Sequence, residues 1–93
     1  MENNWQPQKL YYWNARLNGK VALLSGPFLT ASDAEASADI VSPMFLLEQP
    51  QARRASFGVM RCNSPGVASS KVLYNNLLPP HLYGRLVIGV QLQ

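Results

Sequence analysis

Residues 10–17, Leu-Tyr-Tyr-Trp-Asn-Ala-Arg-Leu, and 20–25, Lys-Val-Ala-Leu-Leu-Ser, are two apolar-rich runs separated by Asn18-Gly19. This dipeptide tolerates the positive φ angles of a type I′ turn, so the runs are expected to fold back on each other as a hairpin. Pairing across a two-residue turn sets Leu17 opposite Lys20, Ala15 opposite Ala22 and Trp13 opposite Leu24. Tyr11, Trp13, Ala15, Ala22 and Leu24 then share one face, which should be buried. Tyr12, Asn14 and Arg16 point the other way with Val21 and Leu23. That half-polar surface is either a solvated sheet face or one that receives a partner.

Gly26-Pro27 is expected to break the second strand. A helix follows, with Ser32 and Glu35 spaced as a capping box and Asp33 complementing the helix dipole. Ala34, Ala38 and Val41 recur at helical spacing beside Ile40, and small alanines let a helix lie close to a sheet. Asp33 and Glu35 are expected to face solvent. Pro43 either kinks this helix or restarts it with Ser42 as cap, and Met44-Phe45-Leu46-Leu47 extends the apolar surface to Pro50.

Beyond Arg53-Arg54, the residues Ala55, Phe57 and Val59 alternate with Ser56, Gly58 and Met60, which predicts a third strand. Residues 63–70 are a loop by composition, and Val72, Leu73, Asn76 and Leu77 can make one or two helical turns before Pro79-Pro80. Leu86, Ile88, Val90 and Leu92 alternate as in a terminal strand. The predicted order is β-β-α-β-(short α)-β, an α+β fold with a mostly antiparallel sheet and helices packed on one face. Residues 1–93 make a single domain, with 1–8 as a flexible N-terminal arm.

Composition agrees with one core. The chain has 93 residues, 47 % apolar and only 14 % charged. A chain of this size removes roughly two thirds of its unfolded surface from water, and so low a charged fraction leaves apolar surface exposed, a common mark of interfaces. Charge is divided unevenly: the forty-five residues after Glu48 carry Arg53, Arg54, Arg61, Lys71 and Arg85 and no carboxylate, whereas Asp33, Glu35, Asp39 and Glu48 sit in the predicted helix. An acidic ridge and a basic remainder are expected, a field that steers an anionic partner or attracts a second copy. A single cysteine, Cys62, excludes an intramolecular disulfide and points to a reducing compartment. With no secretory leader pattern and no long apolar run, the expectation is a cytoplasmic protein with no membrane partner.

The segment from Asn14 to Phe28, followed by Thr30 and the alanine-rich helix, together with Gln49-Pro50-Gln51-Ala52 leading into Phe57-Gly58-Val59-Met60-Arg61, resembles small uncharacterised proteins encoded by bacteriophages and prophages. The likeness covers residues 10–62 and lies in turns and apolar positions. It implies a small accessory protein acting inside a bacterial host cell, and supplies no catalytic residues. Ser25-Gly26-Pro27-Phe28-Leu29-Thr30 before an alanine-rich helix also resembles half of a peptidoglycan-binding SPOR domain, whose matching first half is absent here.

Chemistry is sparse. His81, the one histidine, stands in Pro79-Pro80-His81-Leu82, and no spacing of donors suits a metal. Ser25 lacks a nucleophile elbow, and Cys62 has a base only if the fold brings His81 to it. The expectation is therefore a protein without catalytic, metal or cofactor residues. Trp5, Tyr11, Tyr12, Trp13, Tyr74 and Tyr83 exceed what one core must enclose, so some are expected to anchor a partner. The leading function is binding of a host macromolecule, first of all a protein. The alternative is nucleic-acid binding through the basic C-terminal half, where Phe57 after Arg53-Arg54 is similar to a base-stacking strand. The binding candidates are Tyr12, Arg16, Arg53, Arg54, Arg61, Lys71 and Arg85. A homo-oligomer joined at sheet edges is a third reading.

Overall fold

Leu10–Leu17 (β1) and Lys20–Phe28 (β2) form the expected antiparallel hairpin in the computed structural model, which describes residues 9–62 and 72–87. Asn18 and Gly19 hold φ of 52° and 78°, the pair of positive values that a type I′ turn demands. Leu17 pairs with Lys20 and Ala15 with Ala22 as predicted, but Trp13 pairs with Ser25 rather than Leu24. The register slips at a bulge, so that two residues of β2 serve the helix side: Leu24 enters the core, and the Ser25 hydroxyl bonds Ser37 at 2.6 Å.

A second irregularity carries β2 through Gly26-Pro27, joined by a cis peptide bond, to a pairing of Tyr11 with Phe28. The expected strand break is therefore absent. Gly26 absorbs the distortion at φ 126°, with the Tyr11 carbonyl oxygen and the Tyr12 ring each 2.8 Å from where a Cβ would stand.

The helix Ala31–Glu48 (α1) starts earlier than predicted. Thr30 is its cap, with extended dihedrals and a hydroxyl that accepts from the Asp33 N–H at 3.0 Å. Ser32 lies within the first turn and caps nothing; the chain reverses immediately after Leu29, which leaves Thr30 as the last non-helical residue. The helix runs unbroken through Pro43, and Ser42, rather than restarting it, accepts from the Trp13 indole N–H at 2.8 Å. Ala34, Ser37 and Val41 are its buried residues, with Ala38 and Ile40 half-buried beside them.

A 3-10 turn, Pro50–Arg54, leads into Ser56–Cys62 (β3), which pairs with β1 from Arg16↔Ser56 to Leu10↔Cys62. Strand order is β2-β1-β3, all antiparallel neighbours, so α1 carries the chain across β1 along one face of the sheet. Ala55, Phe57 and Val59 pack against the core as their alternation requires, and Phe45 meets both Phe57 and Tyr74 edge to face. The fold is α+β.

The last described segment closes the outer edge of β2. Leu73 and Tyr74 donate their N–H groups to Leu23 and Leu24, and the Asn75 side-chain amide both receives the Gly26 N–H at 2.9 Å and donates to the Gly26 carbonyl. Asn75–Leu77 is a 3-10 turn within the stretch where helical turns were expected before Pro79-Pro80, and a further helical turn, Pro80–Tyr83 (α2), which was not expected, begins at Pro80, since proline suits a first helical position. Leu86 bridges Phe28, and Val87 donates to the Pro27 carbonyl. Of the predicted terminal strand, residues 86 and 87 are described, and they meet β2 at Pro27 and Phe28, beyond the edge at 23–26 that residues 73–75 occupy. Residues 88–93, the 63–70 loop and the 1–8 arm lie outside the described residues.

Candidate interaction surface

The sheet face turned away from α1 departs from expectation. Tyr12 is fully buried, with Leu10 and Asn14 nearly so, and the Asn14 amide donates to the Gly58 carbonyl at 3.0 Å. Tyr12 sits over Gly26, whose missing side chain makes room for its ring. Burial raises the Tyr12 pKa, and the neighbouring Cys62 raises it further. Tyr12 is thus an internal residue, and its candidacy as a surface contact falls with that burial. On the same face Arg16 is exposed beside Val21, which is 48 % exposed.

Of the six aromatic residues counted as an excess, Trp5 lies outside the described residues and the other five divide. Tyr12 and Tyr74 are buried, Tyr11 and Trp13 half-buried, and Tyr83 is the ring with the greatest exposure among the described residues. Phe57 is half-buried and packs against the core, so its ring is not free to stack on a base.

The charged candidates separate. Arg53 and Arg54 are exposed just before β3 starts, and Arg61 is exposed near its far end, opposite Tyr11. Seven residues of largely extended chain set these two groups about 23 Å apart. Arg85 approaches Asp33 at 3.8 Å. Asp33 therefore faces a cation instead of open solvent, although a pair exposed on the arginine side adds little stability. Lys71 lies outside the described residues. His81 is exposed on α2, and Cys62 is half-buried on β3. Among the described residues no group of histidine, cysteine and carboxylate side chains converges as a metal site would.

What the fold does bring together is a basic end. Arg16 pairs across β3 with Ser56, two residues beyond Arg54, and Lys20 follows the turn opposite Leu17. Arg16, Lys20, Arg53 and Arg54 are all exposed at the hairpin end of the sheet. Lys20 was missed as a candidate although the hairpin prediction alone places it at the same end of the sheet, opposite Leu17 and one residue along from Arg16 on the other face. Leu47, 74 % exposed in the last turn of α1, belongs to this same end, because only seven residues separate α1 from β3.

Glu48 is the carboxylate described at this end, and it receives the Tyr74 hydroxyl at 2.5 Å. Burial first, then that hydrogen bond and the carboxylate charge, push the Tyr74 pKa up to about 12 from 10.0. Unfolded chains lose this proton first, so the stabilisation is complete below pH 10 and drains away between 10 and 12. Tyr74→Phe should be less stable than the parent at neutral pH and lack this component of the alkaline decline. Denaturant midpoints measured for both proteins from neutrality through that interval should converge; a gap that stays constant would refute the assignment.

Set beside known proteins, this α+β chain matches no family model, no curated protein and no solved structure. No helix among the described residues is long and apolar enough to cross a membrane.

Proposed function

We propose that this chain is a non-enzymatic accessory protein of a phage or prophage that binds a host macromolecule, a protein in the first place, in the cytoplasm of the bacterial cell. The observation that carries this reading is how the side chains are employed. Ser25 and Ser37 bond each other, and Ser37 also bonds the Ala34 carbonyl; Asn14 secures β3, Trp13 secures α1 and Tyr74 ties β2 to the helix end. The internal polar atoms named here hold the fold. The surface, by contrast, displays Leu29, Leu47, Leu73 and Tyr83 at about half exposure or more, together with the basic end. Apolar anchors beside arginines are the composition of protein interfaces. The resemblance of residues 10–62 to phage-encoded proteins supplies the biological setting.

Nucleic-acid binding, the alternative, finds less support. It would use a continuous basic track or an exposed stacking ring, whereas Arg53-Arg54 and Arg61 stand at opposite ends of β3 and Phe57 is half-buried against the core. Affinity purification with the full chain from nuclease-treated bacterial lysate should recover a stoichiometric protein partner. Capture that disappears on nuclease treatment would transfer the function to nucleic acid, and an empty capture accompanied by turnover of a small molecule would replace binding with catalysis.

A further inference from the structure

The sequence divides charge at Glu48, but the fold divides it by end. Arg16 and Lys20, from the first half of the chain, join Arg53 and Arg54 at the hairpin end, while Arg85 leaves the basic half to face Asp33. Arg54 is within two residues of Ser56, so its backbone lies no more than about 7 Å along the chain from the residue that pairs with Arg16 one strand spacing away. Four cations thus share one end with two exposed apolar side chains, Val21 directly opposite Arg16 on the face turned away from α1 and Leu47 at the end of α1 on the other face, so that a partner touching all six runs around the end of the sheet. Glu48, exposed at the same end, accepts the Tyr74 hydroxyl and keeps its charge, so four cations stand against one carboxylate among the described residues here.

We propose that this end, formed by Arg16, Lys20, Val21, Leu47, Arg53 and Arg54, is the docking surface for an acidic protein segment that also carries apolar side chains. The proposal rests on the protein-binding reading above and names the chemistry of the partner. Charge complementarity selects an acidic occupant, since guanidinium forks pair two-pronged with carboxylates and stay charged at every physiological pH. Val21 and Leu47 select a segment with apolar residues interspersed, because neither contributes to holding a phosphate backbone. A nucleic acid would gain little from them and would find no exposed aromatic ring among the residues described at this end.

The test uses the full chain and a fluorescent synthetic peptide alternating glutamate pairs with leucine, read by anisotropy, beside a peptide with serine in place of leucine and single- and double-stranded DNA. The leucine peptide should bind with an affinity that weakens as salt is raised. Arg53→Glu/Arg54→Glu should weaken it by roughly a hundredfold, on the scale of about one decade for each reversed rim charge. Arg61→Glu/Lys9→Glu changes net charge equally at other positions and should leave binding within about threefold, a difference of under 1 kcal/mol. Leu47→Ser should weaken the leucine peptide and spare the serine one. Equal losses from both double variants, or no binding of either peptide at low salt, would overturn the placement at this end while leaving the capture experiment above to judge protein binding. Tighter binding to DNA than to the leucine peptide would overturn this proposal and that reading together. Salt-sensitive self-association in sedimentation, abolished by Arg53→Glu/Arg54→Glu, would overturn it in favour of a second copy as the occupant.

Discussion

Gly26→Ala should cost about 2–6 kcal/mol of folding stability, because two separate penalties fall on one methyl group. At φ 126° an L side chain is strained wherever it points, a cost of about 1–3 kcal/mol. The added carbon would also stand 2.8 Å from the Tyr11 carbonyl oxygen and 2.8 Å from the Tyr12 ring, and the latter is fully buried with no room to retreat. Overpacking of this kind costs a further ~1–3 kcal/mol. Gly58→Ala is the matched control. It stands in β3 with nothing within 4 Å of the new carbon, and alanine in a strand interior is favoured over glycine by about 0.5–1 kcal/mol. Urea denaturation should therefore show a large drop in midpoint for the first variant and a neutral or raised midpoint for the second. Equal effects would mean that Gly26 is not confined as described.

Asn75 should matter nearly as much, although it lies in a short 3-10 turn outside the main sheet. Its amide behaves as a strand would, accepting from the Gly26 N–H and donating to the Gly26 carbonyl at the edge of β2. Gly26 is buried, so Asn75→Ala leaves a donor and an acceptor without these partners, at about 1–3 kcal/mol for each group left unsatisfied. Asn75→Asp separates the two bonds. Its carboxylate still accepts from the N–H but repels the carbonyl, which raises the folded-state pKa of the carboxyl. The protonated acid can donate to that carbonyl. Stability of this variant, measured relative to Asn75→Ala, should consequently be greatest below the ordinary aspartate pKa and fall as pH rises through the raised one. A pH-independent difference between the two variants would show that the donor half of the pair contributes nothing.

These two residues also mark where the sequence was silent. Gly26-Pro27 reads as punctuation, and a strand break is the usual meaning of such a pair; that the strand passes through it depends on Tyr12 and Asn75, fourteen residues before and forty-nine after Gly26. Asn75 itself stood within a weak helical pattern and nothing near it signalled an edge cap. Tyr12 showed the same blindness from another side. Alternation correctly assigned Trp13, Ala15 and Leu24 to the face packed on α1, yet gave no sign that the opposite face would be closed at Leu10, Tyr12 and Asn14. Of the binding candidates, Arg16, Arg53 and Arg54 came together with Lys20 only because β3 registers against β1 from Ser56. Arg61 and Arg85, equally basic on paper, were sent elsewhere by that register and by the approach of residue 85 to α1.

The sequence by itself determined the hairpin, the helix and the alternation of β3, since each is written within a few neighbouring residues: a turn dipeptide with two positive φ angles, small residues at helical spacing, apolar side chains at every second position. Tertiary structure alone decided the bulges of β2, the occupant of its outer edge, the interior place of Tyr12 and the gathering of four cations at one end. Those features arise from contacts between residues far apart in the chain, whose registers are set only when all three strands and the helix pack at once.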